Sequence, residues 1–282
     1  MLSQISIEEM RAAHQRTASY LHKTPIMSSE NIDRIVGVPV LFKAEHLQKT
    51  GSFKVRGALN SAILAKEENA KGVIAHSSGN HGQALAWAAQ KIGLSCQIVV
   101  PKNAPISKID GMKEYKTDLV FCESTASIGF EILDQVGDQI DSIFVSIGGG
   151  GLASSLAFLI ENLLPDITVI LVEPESKNLS NLLENRIPCH VDTLETIADG
   201  VRVAHVGTLC EPILRKYCSG NVVSVKEEEI KEAMKLIWTR MKQRIEPSAA
   251  LAFAGVLYHK PAHLTRPLVI LCGGNVDLDY VI

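Results

Sequence analysis

Short apolar segments alternate with amphipathic segments along most of the 282 residues. β-Branched runs such as "VPVLFKAE", "GVIAHS", "SIFVSI", "TVILVEPE" and "PLVILCGG" predict strands, whereas "FKVRGALNSAILAKEE", "HGQALAWAAQKIG" and "LASSLAFLIENLL" have the period of helices. A first helix is predicted from the capping box formed by Ser6 and Glu9. Because strands and helices alternate, the pattern predicts parallel βαβ units and an α/β protein whose sheet is covered on both faces.

Composition and charge exclude several classes of protein. The formal charge is −3 and the pI is about 6.3, which argues against nucleic acid or an anionic membrane as a partner. No apolar stretch approaches the roughly 18 residues of a membrane span, and the first residues do not have the pattern of a secretory signal. The six cysteines have no CxxC spacing, which argues against zinc and is typical of reduced thiols. We therefore expect a cytoplasmic protein without a membrane span.

A run of four glycines, Gly148 to Gly151, lies between a predicted strand and a predicted helix. Without side chains, consecutive backbone N–H groups can converge on one anion at the N-terminus of that helix. A tight turn alone would need only one or two glycines, so phosphate binding is the better interpretation. The run is neither a dinucleotide fingerprint nor a Walker loop, which predicts a phosphate that belongs to a smaller ligand.

Polar residues also follow two other predicted strands. The first set is Ser77, Ser78, Gly79, Asn80 and His81. The last strand ends at Cys272, which on its own would be an ordinary buried cysteine. A helix cap at Ser78 or Asn80 would explain one residue of the first set but not four polar ones. Because the carboxyl ends of parallel strands meet at one edge of a sheet, we expect these residues and the glycine run to line one cleft.

A single lysine, Lys54 in "QKTGSFKVRGA", stands at the predicted start of a helix. A cation gains nothing from the positive end of a helix dipole, so a solvating lysine would be better placed further along the helix. A reactive amine, a phosphate loop and polar strand ends together suggest pyridoxal phosphate, with the lysine holding the cofactor as a Schiff base.

Six segments then carry a resemblance to a known family. "KTGSFKVRGA", "SSGNHGQALA", "GGGGL", "ETIADGV", "RIEPSAA" and "CGGNVDL" resemble, in order, the signature segments of the fold-type II pyridoxal-phosphate enzymes, above all the serine racemase and serine/threonine dehydratase (ammonia-lyase) family. O-acetylserine and cystathionine enzymes are similar mainly around the lysine and the glycine run. The resemblance implies the tryptophan synthase β-like fold, with two open, twisted, mostly parallel sheets flanked by helices. It also implies racemisation of serine or elimination of ammonia from L-serine or L-threonine.

The same resemblance implies roles for individual residues. Lys54 would hold the cofactor and take the substrate Cα proton, and Ser78 would act as acid and base on the opposite face. The other implied cofactor contacts are Phe53 near the ring, Asn80 at the 3-hydroxyl, Cys272 at the pyridine nitrogen, Glu246 in the pocket wall, and Gly148, Gly149, Gly150 and Gly151 around the phosphate. The implied substrate contacts are Ser77, Ser78, Gly79, Asn80 and His81.

Two segments depart from the family pattern. In "VEPESKNLSN", Glu173 stands where the family binds a divalent cation, but Asn178 and Leu179 replace an expected acid, and leucine cannot coordinate Mg²⁺. After Thr125 roughly thirty residues of the pattern are absent, about one helix and one strand. We therefore predict a large cofactor-binding domain, residues 1–70 and 126–282, and a shortened small domain, residues 71–125.

The short small domain leaves two hypotheses open. The first is an active racemase or ammonia-lyase that acts on serine or threonine as a homodimer. The second is a cofactor-binding variant or regulatory subunit with impaired catalysis. Gln83 and Lys242 match positions that bind a nucleotide effector in racemase relatives, which adds a possible effector to the first hypothesis.

Overall fold

The computed structural model describes residues 6–77, 79–99, 127–184, 194–203, 205–277 and 279–282. Ser78, to which the sequence assigns a catalytic role, lies outside the described residues, and so does most of the segment around Thr125. The strands are β1 (Ile26–Met27), β2 (Leu41–Lys43), β3 (Gly72–His76), β4 (Ser95–Val99), β5 (Ser142–Ser146), β6 (Thr168–Pro174), β7 (Val222–Val225) and β8 (Pro267–Ile270). The helices are α1 (Ile7–Ala18), α2 (Glu30–Val36), α3 (Lys54–Glu67), α4 (Asn80–Ile92), α5 (Ser127–Gln135), α6 (Gly151–Leu163), α7 (Leu179–Leu183), α8 (Glu211–Cys218), α9 (Glu227–Leu236) and α10 (Pro247–His259).

The strands form two sheets. The larger has the order β1-β2-β8-β5-β6-β7, in which β1 is antiparallel and every other pairing is parallel. The smaller pairs β3 with β4 in parallel. The α/β class and the mostly parallel sheets predicted from the alternating pattern are confirmed. Parallel strands must be joined by crossovers, and the amphipathic segments between them supply the helices.

Each sheet has its own hydrophobic core. The larger core surrounds β5, β6 and β8 and includes α10, which is buried along most of its length. The smaller core joins β3, β4 and α4, and it also takes Val55, Ala58, Leu59 and Ala62 from α3. The domain boundary predicted near residue 70 stays a prediction. Helix α3, which precedes it, packs in the smaller core. Among the described residues no helix is both long enough and apolar enough to span a membrane.

A network of four buried charged side chains ties α3 to the larger sheet. Arg56 of α3 donates to Glu45 (Nε to Oε2, 2.7 Å) and to Glu131 of α5 (Nη1 to Oε1, 2.7 Å). Lys43 of β2 donates to the other oxygen of Glu131 at 2.6 Å. None of the four exposes more than 6 % of its surface. Two cations and two carboxylates therefore balance, and the first turn of α3, which carries Lys54, is fixed to β2 and α5.

Candidate active site

The loop before α3 lies against the end of β8. Phe53 N donates to Cys272 O at 3.0 Å, Gly274 N donates to Gly51 O at 2.9 Å, and Ser52 forms a β-bridge with Gly273. These backbone contacts bring Lys54 to the carboxyl end of the large sheet. The charge of Lys54 lowers the pKa of both Cys272 and His81, which fits side chains that lie near one another. The polar residues that follow β3 therefore meet those that follow β8, as the sequence predicts.

Asn80 and Glu246 form a buried polar pair at the start of α4. Asn80 Nδ2 donates to the two carboxylate oxygens of Glu246 at 2.8 and 3.0 Å, and Asn80 Oδ1 accepts from Asn275 Nδ2 at 2.9 Å. Asn275 also donates to Thr50 O. The pattern sets the orientation of the Asn80 amide and joins α4 to the loop before α3. From the sequence, Asn80 and Glu246 are assigned cofactor contacts, whereas Asn275 is recognised only as one of the residues that end the last strand and is given no role of its own.

Gly273 leaves the space that this pair needs. A Cβ at Gly273 would lie 2.6 Å from Glu246 Oε1 and 3.1 Å from Asn80 Nδ2. Contacts under 3 Å are not tolerated without movement. Glycine at this position is therefore a requirement of the site rather than of the strand end.

The four glycines form the turn between β5 and the N-terminus of α6. Gly150 has φ +93°, and a Cβ there would lie 2.8 Å from Val206 and Cys210 atoms. A Cβ at Gly149 or Gly151 would meet nothing within 4 Å. The loop is therefore packed at Gly150 and has free space at Gly149 and Gly151, the residues on either side of it. This arrangement fits a phosphate group bound by backbone N–H groups.

Two further observations fit the same cofactor. The Ser52 hydroxyl is fully buried, two residues before Lys54, and it has no hydrogen-bond partner among the described residues. Phe53 is half-buried against the larger core at the start of α3. A buried hydroxyl normally has a partner, so this one is available to a ligand. The residues that the structure describes fit pyridoxal phosphate.

Two titratable groups of the cleft, the Cys272 thiol and the His81 imidazole, are held neutral. Burial raises the pKa of the Cys272 thiol far above its usual range, so the thiol stays protonated. Burial, with the charge of Lys54, lowers the pKa of His81 to about 4, so its imidazole is neutral at physiological pH. Both groups can exchange hydrogen bonds with a ligand without adding charge to the cleft.

Ser77 takes the capping role that the sequence analysis gives to Ser78 or Asn80. The Ser77 hydroxyl accepts from Gly82 N at 3.1 Å and from Gly79 N at 3.4 Å, while Gly79 is the residue before the first turn of α4. A cap at Asn80 is wrong because Asn80 is already helical and its amide is turned to Glu246. The cap at Ser78 lies outside the described residues, as does its catalytic role.

The surroundings of Glu173 do not fit a divalent cation. Glu173 Oε2 accepts from Leu179 N at 2.6 Å and Oε1 accepts from Ser224 Oγ at 2.9 Å. Within the described part of the chain no three His, Cys, Asp or Glu side chains cluster as metal ligands do. The cationic group in this region is Lys177, whose charge acts on Glu173. Sequence analysis passes over this lysine because it looks for acids in "VEPESKNLSN".

The α/β fold and the cleft fit an enzyme that binds a phosphorylated cofactor. The chain belongs to the pyridoxal-phosphate dependent enzyme family, whose model matches residues 18–127 and 123–273. The two matches meet where the sequence predicts missing residues. Pyridoxal phosphate is therefore the cofactor of this enzyme.

Several relatives with known names are similar to this chain over nearly its whole length. The serine racemase of Dictyostelium discoideum is 35 % identical over 319 aligned positions that cover 99 % of this chain and 98 % of the relative. A crystal structure of a pyridoxal 5'-phosphate-dependent aspartate racemase is 36 % identical with a TM-score of 0.92, and the match covers 98 % of each chain. A crystal structure of a threonine deaminase from T.th. is 36 % identical with a TM-score of 0.87, covering 98 % of this chain and 100 % of that one. The first alignment is longer than the 282 residues of this chain, so the racemase has residues that this chain lacks.

Proposed function

We propose that this chain racemises serine and eliminates ammonia from L-serine or L-threonine at one site. The names of its serine racemase and threonine deaminase relatives support this substrate class. The observation that carries the proposal is the meeting of Lys54, the neutral thiol of Cys272 and the Asn80–Glu246 pair at the carboxyl end of the large sheet. The alternative is a cofactor-binding variant with impaired turnover, and the experiments below separate the two.

The chemistry divides between the cofactor and the chain. When bound, pyridoxal phosphate supplies an electron sink for the electron pair left at Cα after proton removal. We assign the removal of that proton to the neutral amine of Lys54, because the contact between Phe53 N and Cys272 O places the start of α3 beside the end of β8. A protonated thiol at Cys272 offers the ring nitrogen a neutral partner, which favours racemisation and β-elimination over transamination. Asn80, fixed by Glu246 and Asn275, orients the 3-hydroxyl side of the ring.

The two reactions differ in what happens after the proton leaves. Return of a proton to Cα from the opposite face gives the D-amino acid, and we assign that step to Ser78. Loss of the β-hydroxyl gives the 2-oxo acid and ammonia after hydrolysis. The neutral imidazole of His81 and the N-terminus of α4 are suited to the substrate carboxylate, since both can donate hydrogen bonds there.

The first experiment compares Lys54→Ala with Lys49→Ala. Each purified protein is saturated with pyridoxal phosphate and incubated with L-serine, L-threonine or L-aspartate. D-isomers are measured by chiral chromatography and 2-oxo acids by a coupled reductase. We expect loss of all turnover in Lys54→Ala and unchanged turnover in Lys49→Ala, which lies in the same loop. Wild-type protein that carries cofactor and turns over none of the three amino acids would reject the proposal in favour of the impaired variant.

A second pair of variants separates racemisation from elimination. Ser78→Ala should abolish D-serine formation from L-serine while pyruvate formation continues, because only reprotonation from the second face is lost. Ser77→Ala removes the helix cap instead and should reduce both products together. Racemisation of aspartate in preference to serine would place the chain with the aspartate racemase in substrate choice.

We further propose a homodimer in the cytoplasm whose activity responds to a nucleotide. The cysteine pattern supports the compartment, and the match of Gln83 and Lys242 to effector positions supports the nucleotide. Sedimentation of the holoenzyme and turnover with and without ATP test the two points. A monomer with full activity, or no response in wild type, would reject them.

A further inference from the structure

Lys177 is a buried lysine for which the proposed reaction has no use. It lies between β6 and α7 and exposes only 6 % of its surface. Its Nζ donates to Gly148 O at 2.8 Å and to Val203 O at 3.0 Å. A buried ammonium is costly unless strong partners compensate for lost water. Here the partners are backbone carbonyls, and one of them belongs to the first glycine of the phosphate loop.

The contact fixes the orientation of a peptide group in that loop. In a trans peptide the C=O and the following N–H point in opposite directions. Because the Gly148 carbonyl points at Lys177, the Gly149 N–H points away from it. A Cβ at Gly149 would meet nothing within 4 Å, so this part of the loop has room for a ligand. The ammonium also polarises the peptide, which makes the N–H a better donor to an anion.

The second carbonyl joins the loop to its neighbour in the fold. The segment 200–203 passes against Gly148, where a Cβ would lie 3.3 Å from Gly200 O and from Val201 Cα. Gly200 N is itself held by Ser248 Oγ of α10 at 2.9 Å. By bonding Gly148 and Val203 together, Lys177 clamps the loop to a segment that α10 holds in place.

Glu173 balances the charge of the lysine without binding a metal. Its oxygens accept from Leu179 N and Ser224 Oγ, and it lies close enough to act on Lys177 electrostatically. Leu179 is buried and apolar, at the place where the family resemblance expects an acid. Within the described residues Glu173 is thus paired with a lysine and not with further acids, and no cluster of ligands for Mg²⁺ is present there.

We propose that Lys177 is the resident cation of the phosphate loop: its ammonium positions the Gly148–Gly149 peptide for the cofactor phosphate and makes cofactor binding independent of divalent cations. Lys177 is a positioning residue in this scheme, because it acts through the loop and touches neither substrate nor cofactor. The inference rests on the proposed function only in taking Gly148 to Gly151 as the phosphate site.

The test compares pyridoxal phosphate with pyridoxal, which has the same aldehyde but no phosphate. Affinities are measured by absorbance titration of the apoprotein. We expect Lys177→Met to weaken pyridoxal phosphate about tenfold, as the loss of a hydrogen bond from a charged donor implies, and to leave pyridoxal binding unchanged. Lys260→Met is the matched control, since Lys260 also donates to a backbone carbonyl, Leu264 O at 2.7 Å, but at the far end of α10. Equal weakening of both ligands, or no weakening of pyridoxal phosphate, would overturn the proposal.

Two further measurements keep the proposal testable if Lys177→Met does not fold. Wild-type affinity for pyridoxal phosphate should be the same in EDTA and in millimolar Mg²⁺, and a tightening of more than threefold by Mg²⁺ would contradict a resident ammonium. Lys177→Ala should recover affinity when ethylammonium is added, since the small cation can replace the missing amine. Failure of the wild type to bind pyridoxal phosphate would instead reject the cofactor site itself, so the two failures are distinguishable.

Discussion

Replacing Glu131 by glutamine tests the buried charge network that holds α3. Glu131 Oε1 accepts from Arg56 Nη1 at 2.7 Å, and Oε2 accepts from Lys43 Nζ at 2.6 Å and from Arg56 Nη2 at 3.1 Å. Glutamine has the same shape but only one acceptor oxygen. One of the two cations would then face an N–H group, and the network would hold two positive charges against the single carboxylate of Glu45.

The expected loss is large because every member is buried. Arg56 is 1 % exposed, Lys43 and Glu45 are 0 % exposed, and Glu131 is 6 % exposed. Breaking a buried pair by removing one partner costs about 3–5 kcal/mol. For a chain of this length about 2 °C of Tm accompanies each kcal/mol, so we expect a fall of about 6–10 °C.

The pH dependence of the variant gives a second signature. Burial already lowers the pKa of Lys43, and Glu131 opposes that effect. Without the carboxylate, the folded-state pKa of Lys43 falls further below its unfolded value, so the unfolded state binds more protons. Stability then rises with pH, and the gap between Glu131→Gln and wild type should narrow between pH 7 and pH 9.

The assay is thermal unfolding of the apoprotein at one scan rate, with Asp134→Asn as the control. Asp134 lies on the same helix, and its ion pair with Lys23 is exposed. An exposed pair is screened by water, so the control should unfold with the wild type. A Glu131→Gln protein that loses no more Tm than Asp134→Asn would refute the reasoning.

The other predictions concern the cleft and the smaller core. Gly273→Ala should weaken pyridoxal phosphate about tenfold in the absorbance titration, since its Cβ would displace Glu246 and Asn80; unchanged affinity would show that the pair moves without cost. His81 titrates near pH 4 when folded and near 6.5 when unfolded, so the unfolded state binds the extra proton on acidification and stability falls. The free energy of unfolding, measured in urea, should therefore fall between pH 7.5 and pH 5 by about 2 kcal/mol less in His81→Asn than in wild type. An equal fall in both proteins would contradict this. Hydrogen exchange should be faster in β3 and β4 than in β5 and β8, because the core described around β3 and β4 is smaller than the core around β5 and β8, and equal protection would count against it.

Local motifs of the site were predictable from the sequence, and contacts between distant segments were not. The glycine run, Lys54 and Cys272 are local signals, because each marks a turn or a strand end on its own. The Asn80–Glu246 pair joins residues 166 positions apart, and no periodicity indicates it. Lys177 was missed for a different reason. The family resemblance predicts acids in this segment, so the sequence analysis considered which acids are absent and not which basic residue is present.

The division of the site between the two cores bears on the predicted loss of residues after Thr125. Most of the predicted cofactor contacts belong to the larger sheet or are tied to it. Cys272 lies in the larger core, the glycine run follows β5, and the charge network fixes the first turn of α3 to β2 and α5. Asn80, at the start of α4, is the exception. The described residues assigned to the substrate, Ser77, Gly79, Asn80 and His81, lie instead after β3 and in the first turn of α4. We therefore expect a shorter small domain to affect the substrate side, and Asn80 with it, more than the contacts that come from the larger sheet. Cofactor binding and turnover are thus separate properties of this chain, and a protein that binds pyridoxal phosphate tightly but turns over serine slowly would have its defect in the segment that presents residues 77–81.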